Sequence, residues 1–486
     1  MINIQIIPFL PFIALILVIF LDKYPRLFVV RQNISPLFAT LFLFTAFGLK
    51  NIKNSISLNI LDLPNNFSFV LLFNDRQMLF LLLVGLMWFL VSIYSRRYFA
   101  ITEDIRIKQF NVLFLLVIGF LSGLVLSKNL LTALLFYQLL SLIIYLFSNN
   151  FASRASSVAI RYFGFFVLST SSLLFLAAAL TFKISGTVDF IGGGVFSGSA
   201  IDIWQFGALL FFYVLSLALI AFVPIYWFFG KLYHLSPPAI IIALLGFSLS
   251  SLILLFKVIV YIFGMKLFAF FMSQLNEHGL ITIAIGFNLL ALALLTIFSK
   301  NLKQMLTFLF FNQLIMVVMA LLAFGVNPRK MQIMITSFTL SQMLIFFAIG
   351  NINLYLSGSQ EKTINGIFHK LKITILLLIF TLLNFSGLVP AVGMIEKYWL
   401  FKEVITNRSF IGAGVVFLNI LLCLVCSAKM IYPMLEISAK NSSEEKNGTE
   451  EIAREIELDL SLILPIVVLS CIIFALAFPP VANFFM

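Results

Sequence analysis

Charge is what this 486-residue sequence has least of: Asp, Glu, Lys and Arg together make 10% of it, against 62% hydrophobic residues. Mean hydropathy is +1.12. So little polar surface cannot cover a soluble fold of this length, which leaves an integral membrane protein. Acids are scarcer than bases, 19 against 31. In a soluble chain the resulting charge of +12 would suggest nucleic acid. Here Lys and Arg fall at the ends of apolar runs, where positive-inside anchoring accounts for them, and no nucleic-acid partner is expected. Histidine and cysteine number three each. His234, His278 and His369 are scattered over expected loop edges, so no metal, haem or other cofactor is expected, and no catalytic site of the chain's own. Cys423-Leu-Val-Cys426 spells CxxC, but mid-span, whereas redox pairs work at an accessible helix N-terminus, and packing is the better reading. No basic stretch precedes the first apolar run, the first cation being Lys23, so that run reads as a span and not as a cleaved leader.

What is present is apolar length. Runs near ~20 residues, enough to cross ~30 Å of hydrocarbon, fall at 4–22, 33–49, 77–94, 109–127, 129–149, 158–182, 205–229, 238–264, 278–299, 303–325, 331–356, 371–395, 410–435 and 460–484. The expectation is an all-α polytopic membrane protein of about fourteen transmembrane helices. About 19 Lys and Arg follow odd-numbered spans, Arg96, Arg97, Lys370 and Lys372 among them, against about 10 in the other loops. This bias places both termini on the outer side of a bacterial inner membrane. Two connections read as more than turns: 183–204, with Gly192-Gly-Gly194, and the acidic, polar 437–459.

Repetition is the next clue. Asn129-Leu-Leu opens span five and Asn301-Leu-Lys303 opens span ten, each after a short polar step and each two spans before a proline-interrupted helix, at Pro224 and Pro390. Five helices per copy is an odd number, so tandem copies insert with opposite orientation, as in many transporters. The organisation expected is 1–108 for spans one to three, 109–264 for the first five-helix repeat and 278–435 for the inverted second repeat. An acidic loop and the last span complete it over 436–486. Span twelve is broken at Gly387, Pro390 and Gly393, just ahead of Lys397. An intramembrane lysine is costly, roughly 2.5–3.5 kcal/mol on insertion scales, and by default marks a functional site.

These residues carry a resemblance. Asn301-Leu-Lys303-Gln-Met-Leu-Thr-Phe-Leu-Phe-Phe-Asn-Gln313 resembles the "DLKRLLAYSSISQ" region of the antiporter-like family, the proton-translocating membrane subunits of respiratory complex I and of multisubunit sodium/proton antiporters. Ser386-Gly-Leu-Val-Pro390, Gly393 and Lys397-Tyr-Trp-Leu-Phe-Lys402 resemble its "SGIPP…GFIGKFYLF" segment. Ala159-Ile-Arg161-Tyr162 is similar to its "AIKY". Lys231-Leu-Tyr233 with Ser236-Pro-Pro-Ala239 looks most like the D-type component of the antiporters. The resemblance implies other membrane subunits as partners, lipid around the chain, and movement of H+ with Na+ or K+. It also leaves room for a place in an NADH:quinone oxidoreductase-type enzyme.

The departures from the family pattern are specific. The span-five glutamate position is Gln138, the span-seven lysine position Leu219, the span-eight position Gly246 or Ser251, and the span-eleven lysine position Gln342. None of these titrates. Lys397 matches the family's span-twelve lysine, although the glycine before it has become Glu396. Adjacent residues point about 100° apart on a helix, so no salt bridge is expected within that pair. Lys257, six residues beyond Ser251, either substitutes for the missing cation or snorkels to the outer interface as an anchor, and the anchor is favoured. Arg161 and Lys303 sit near cytoplasmic span ends, where anchoring is the simpler account. Asn312, Gln313, Ser337, Thr339, Ser341 and Gln342 form a polar stripe, either interhelical glue or the wall of a hydrated path. The expected pathway residues are therefore Lys397, Lys257, Gln138, Ser251, Gln342, Arg161, Lys303 and Gln313. The implied function is an antiporter-like subunit in which full proton transfer is lost or rerouted.

Overall fold

The computed structural model describes residues 4–24, 28–51, 55–62, 68–74, 77–103, 106–151, 157–198, 201–217, 238, 244, 246–275, 280–323, 327–359, 366–388, 391–406, 410–436 and 455–478. Within them the chain runs α1 (Leu10–Leu21), α2 (Phe28–Phe47), β1 (Ile56–Asp62), β2 (Ser68–Phe73), α3 (Met78–Ile101), α4 (Ile107–Leu126), α5 (Leu130–Phe151), α6 (Ser157–Ser185) and α7 (Ile203–Ser216). It continues through α8 (Gly246–Lys257) with a π turn over Val258–Phe263, then α9 (Met265–Leu275), α10 (Leu280–Phe298), α11 (Leu302–Ala323) and α12 (Pro328–Ser359). Last come α13 (Lys372–Ser386), α14 (Val392–Thr406), α15 (Phe410–Leu435) and α16 (Leu460–Ala475).

Among the described residues, nine helices are long and apolar enough to cross a membrane: α3 to α6, α8 with its π turn, α10, α11, α12 and α15. Five shorter apolar helices accompany them, in α1, α2, α7, α13 and α16. Every one overlaps an apolar run read from the sequence, and some extend past it, as Met78–Ile101 does beyond 77–94. In hydrocarbon an unpaired N–H or C=O costs several kcal/mol, so long apolar runs close their backbone bonds internally as helices. Burial then sorts centre from rim. The apolar windows of α11 and α12 are 100% buried, that of α15 only 33%. α12 lies against α3, α8, α11, α13, α14 and α16, while Phe175 on α6, Phe287 on α10 and Phe417 on α15 face outward. A helix covered on every side by other helices can carry polar residues. α12 buries Thr336, Ser337, Thr339, Ser341, Gln342 and Asn351.

The expectation of helices alone is corrected at one place. β1 and β2 form an antiparallel hairpin, with a register irregularity between Asn59 and Leu61. Its sequence has period two, Ile56, Leu58 and Ile60 alternating with Ser57 and Asn59, which suits a strand and not an apolar span. The hairpin braces the corner between α4 and α5. Lys128 N donates to Val70 O at 3.0 Å, Asn129 Nδ2 to Ser68 O at 2.7 Å, and Val70 N to Thr132 Oγ1 at 3.0 Å. From the other side Leu130 N donates to Val188 O at 2.8 Å and Phe190 N to Lys128 O at 3.1 Å. Asn129 Oδ1 also accepts from Thr132 N at 2.8 Å, capping α5.

The span-twelve break is present. α13 ends at Ser386, Gly387 takes the left-handed conformation with φ +76°, and α14 begins at Val392. Glycine adopts that conformation without the Cβ penalty, the common way to end a helix. Leu219, Pro224 and Pro390 lie outside the described residues.

Candidate ion pathway

The site is built where α13 and α14 meet across α12. Gly393 N donates to Asn384 Oδ1 at 2.9 Å, so the first turn of α14 is tied to the last turn of α13. The approach is close: a Cβ on Gly393 would run into the Asn384 carbonyl oxygen. Asn384 Nδ2 in turn donates to Ser341 Oγ on α12 at 3.2 Å. One turn further along α14, Lys397 is buried, and its stem crosses the bare face of Gly387, where an added Cβ would lie 2.6 Å from Lys397 Cδ. Gly387 and Gly393 therefore break the span and also make room for a lysine and a neighbouring backbone.

Around Lys397 the polar groups converge. Glu396 and the Cys423 thiol of α15 lie within electrostatic reach of its ammonium. Cys423 accepts from Gln313 Nε2 at 3.6 Å and donates to Asn312 Oδ1 at 3.3 Å. Asn312 Nδ2 donates to Asn419 Oδ1 at 2.9 Å and to Leu289 O at 2.8 Å, so α10, α11 and α15 share one network. Cys423 and Cys426 are free, buried thiols. Ser337 of α12 lies near the Glu396 carboxylate. Among the described residues its Oε1 is buried without a partner. No ion pair joins Glu396 to Lys397 among the described residues, in keeping with their angular separation. Gln342, one residue beyond Ser341, has both amide atoms buried and unpartnered among the described residues. Orphaned polar atoms at this depth need an acceptor or donor, and trapped water is the partner that fits.

The N-terminal half is closed by hydroxyls. Ser251, buried on α8, meets Tyr137 Oη of α5 at 3.0 Å, and Ser141 meets Ser171 of α6 at 2.9 Å. Thr181 of α6 meets Tyr213 of α7 at 2.7 Å. Gln138 is half-buried beside Tyr137, and Gly246 lies 3.4 Å, measured to an added Cβ, from Val117. Arg161 is exposed in the first turn of α6 and Lys303 half-buried in the first turn of α11. The structure thus bonds Gln313 to Cys423, which lies within electrostatic reach of Lys397, and leaves Arg161 and Lys303 at helix ends.

Lys257 corrects its expectation. It does not snorkel; its ammonium is buried and donates to Leu124 O, Val125 O and Ser127 O, at 2.9, 2.8 and 2.9 Å, and to Ser127 Oγ at 2.8 Å. These carbonyls sit at the C-terminal end of α4, where the helix leaves acceptors underused and carries the negative end of its dipole. The Phe190 ring covers the ammonium at 5.3 Å. The inward turn is favoured because the α4 terminus offers acceptors that hydrocarbon lacks. Lys257 also lines a narrow cleft of ≈ 40 Å³ with Asn74, Gln77 and Tyr261. Asn74 Oδ1 and Gln77 Oε1 have no partner among the described residues.

Sequence reasoning misses Glu396, Tyr137 and Asn384 as site residues. A carboxylate inside an apolar helix is the available signal for Glu396, since acids are nearly as rare as lysines at membrane depth.

No protein-family model matches the sequence, and no curated protein matches it significantly. Solved structures do match. A chain in the structure of the Mrp complex from Dietzia sp. DQ12-45-1b superposes with a TM-score of 0.73 at 15% identity, covering 98% of this chain and 95% of that one. A chain in the structure of the membrane-bound sulfane sulfur reductase, an archaeal respiratory membrane complex, gives 0.78 at 14% identity, with 99% and 95% covered. A chain in respiratory complex I from Thermus thermophilus with bound NADH gives 0.73 at 16%, with 99% of both covered. At these identities the likeness carries the fold. The chain is a multi-pass membrane protein with the architecture found in Mrp antiporter and complex I-like assemblies.

Proposed function

We propose that this chain is an antiporter-like membrane subunit of a multisubunit monovalent cation/proton antiporter, acting only with its partner subunits. The observation that carries the reading is the buried Lys397, its stem lying over Gly387 at the break, together with the amide of Gln342 buried on α12 without a partner among the described residues. Buried charge and unpaired polar atoms at membrane depth cost stability, and a protein keeps them where ions pass. H+ moves through this half, exchanged for Na+ or K+.

The repeat organisation belongs to the same proposal: fourteen spans, with 109–264 and 278–435 as two inverted five-helix copies. Two matched lysine clamps support it. Lys257 bonds the carbonyls of Val125 and Ser127, at sequence separations of 132 and 130, and Lys429 bonds those of Ile297 and Ser299 at the same separations. Both termini face outward from a bacterial cell membrane, as the loop charges favour.

A second reading is a non-conducting paralogue that fills a slot in the complex. The hydroxyl-only contacts of α5 with α8 favour it for the N-terminal half. A third is a pumping subunit of an NADH:quinone oxidoreductase. Lys397→Ala, assayed for cation/proton exchange in inverted vesicles with all partner subunits present, decides the first two: lost exchange supports conduction, and unchanged exchange supports the scaffold. Neighbouring genes decide the third. Companions for small antiporter subunits support the antiporter, whereas quinone-site and iron–sulfur subunits support the oxidoreductase.

A further inference from the structure

Lys397 needs a group to which it can hand a proton. Among the expected pathway residues none serves. Gln138, Ser251, Gln313 and Gln342 do not titrate. Lys257 has three N–H bonds and four acceptors around them, so its protons are committed to the end of α4. Arg161 and Lys303 are at helix ends. One carboxylate does lie beside the lysine, half-buried, with one buried oxygen unengaged among the described residues.

The geometry points to Glu396 as the carboxylate of this subunit's proton path, exchanging a proton with Lys397 through a water held at its unpartnered Oε1. This deepens the antiporter-like reading and rests on it. Three observations carry the assignment. Among the described residues Oε1 is buried with no donor, and a buried carboxylate oxygen is ordinarily satisfied. Ser337 of α12 lies near the carboxylate, so a polar group of the central helix adjoins it. Ser337 and Ser341 are four apart and share one face of α12, so the face beside Glu396 also bonds Asn384 at the break.

Direct transfer between neighbours pointing about 100° apart is disfavoured, and a bridging water removes the obstacle. The step balances. An N–H bond of the Lys397 ammonium breaks and its proton joins the water, while a proton of that water forms an O–H bond at Oε1. The products are a neutral amine and a carboxylic acid, and the pair remains at zero net charge throughout. No isolated charge is created in the membrane, which would cost several kcal/mol. The other groups facing the pair are Ser337 from α12 and Cys423 from α15. On the same helix, Glu403 is engaged by Lys330 at 3.1 Å.

The test uses the assembled complex in inverted vesicles and compares Glu396→Gln, Lys397→Ala and wild type. Glutamine keeps the shape and cannot titrate, so exchange is expected to fall by at least about tenfold while assembly on native gels is unchanged. If Lys397→Ala abolishes exchange and Glu396→Gln leaves it at the wild-type rate, this assignment is wrong and the antiporter-like reading stands. If neither change affects exchange, the antiporter-like reading fails first. Should the glutamine variant not assemble, a hydrophobic carbodiimide on the wild-type complex replaces it, since the reagent modifies buried protonated carboxyls. An adduct at Glu396 by peptide mass spectrometry, rising in step with loss of exchange, supports the assignment. Full modification with exchange intact, or no adduct at Glu396 while other carboxyls react, overturns it.

Discussion

Lys257 and Lys429 hold equivalent helix ends: each reaches back 130 and 132 residues to two carbonyls at the C-terminus of a helix, Lys257 at α4 and Lys429 at α10. The corners they hold share a sequence, Ser127-Lys-Asn-Leu130 and Ser299-Lys-Asn-Leu302. A lysine at a helix C-terminus satisfies carbonyls that the helix cannot and complements its dipole. The two differ in depth, Lys257 being buried and Lys429 exposed.

That difference sets the first prediction. Lys257→Met keeps the stem and removes the donors, leaving buried carbonyls of α4 unsatisfied, at a cost of about 1–3 kcal/mol. Lys429→Met exposes its carbonyls to other partners and costs less than about 1 kcal/mol. Thermal unfolding of the detergent-solubilised complex should therefore drop clearly for the first and little for the second. Exchange per assembled complex should be unchanged by Lys257→Met. A specific loss of exchange at full stability would return Lys257 to the pathway.

The glycines of the break give a second pair of outcomes. Gly387→Ala meets the left-handed backbone, about 1–2 kcal/mol, and also displaces the Lys397 stem that lies within 2.6 Å of the new Cβ. Gly393→Ala collides with backbone, the Asn384 carbonyl, which cannot step aside as a flexible stem can. We expect Gly387→Ala to assemble with impaired exchange and Gly393→Ala to reduce the amount of assembled complex. Native gels and vesicle assays on the same preparations separate the two effects.

Outside the membrane, Glu457 accepts from Ile373 N at 2.7 Å and so caps α13 from the segment before α16. Replacing it by Ala should cost about 0.5–2 kcal/mol, as for other lost caps. Burial raises its carboxyl above the ordinary value of 4.5, against the opposing pull of the Ile373 and Thr374 amides. The carboxyl therefore ionises at higher pH in the folded chain than in the unfolded one, so this contribution to stability declines as pH rises through that interval. Glu457→Gln should flatten the dependence of unfolding temperature on pH there. An unchanged profile would show that another group sets it.

Much of the fold is legible in the chain because the bilayer leaves few choices. A run such as 303–325 must be a helix once it is in hydrocarbon, and Gly387 with Gly393 announces a break by composition alone. Lys397 stands out as a lone cation in an apolar segment. What stays hidden depends on partners distant in sequence. The inward turn of Lys257 follows from carbonyls 130 to 133 residues earlier. Spacing relates Glu396 only to its neighbour Lys397, while the nearby hydroxyl of Ser337 comes from α12, about sixty residues earlier in the chain. The hairpin escapes a search for apolar runs of span length, which skips a short alternating segment.

Gln342 distinguishes a hydrated wall from interhelical glue. A glutamine that binds helices together loses its partners when changed to leucine, and stability falls by roughly 0.6 kcal/mol for an average membrane hydrogen bond. Here neither amide atom has a partner among the described residues. Gln342→Leu therefore removes two orphaned polar atoms from the buried face of α12, and the unfolding temperature should hold or rise. If those atoms order water on the way to Lys397, exchange should fall steeply in the same variant. Stability retained with exchange lost would place Gln342 on the path. Stability lost with exchange intact would make it structural.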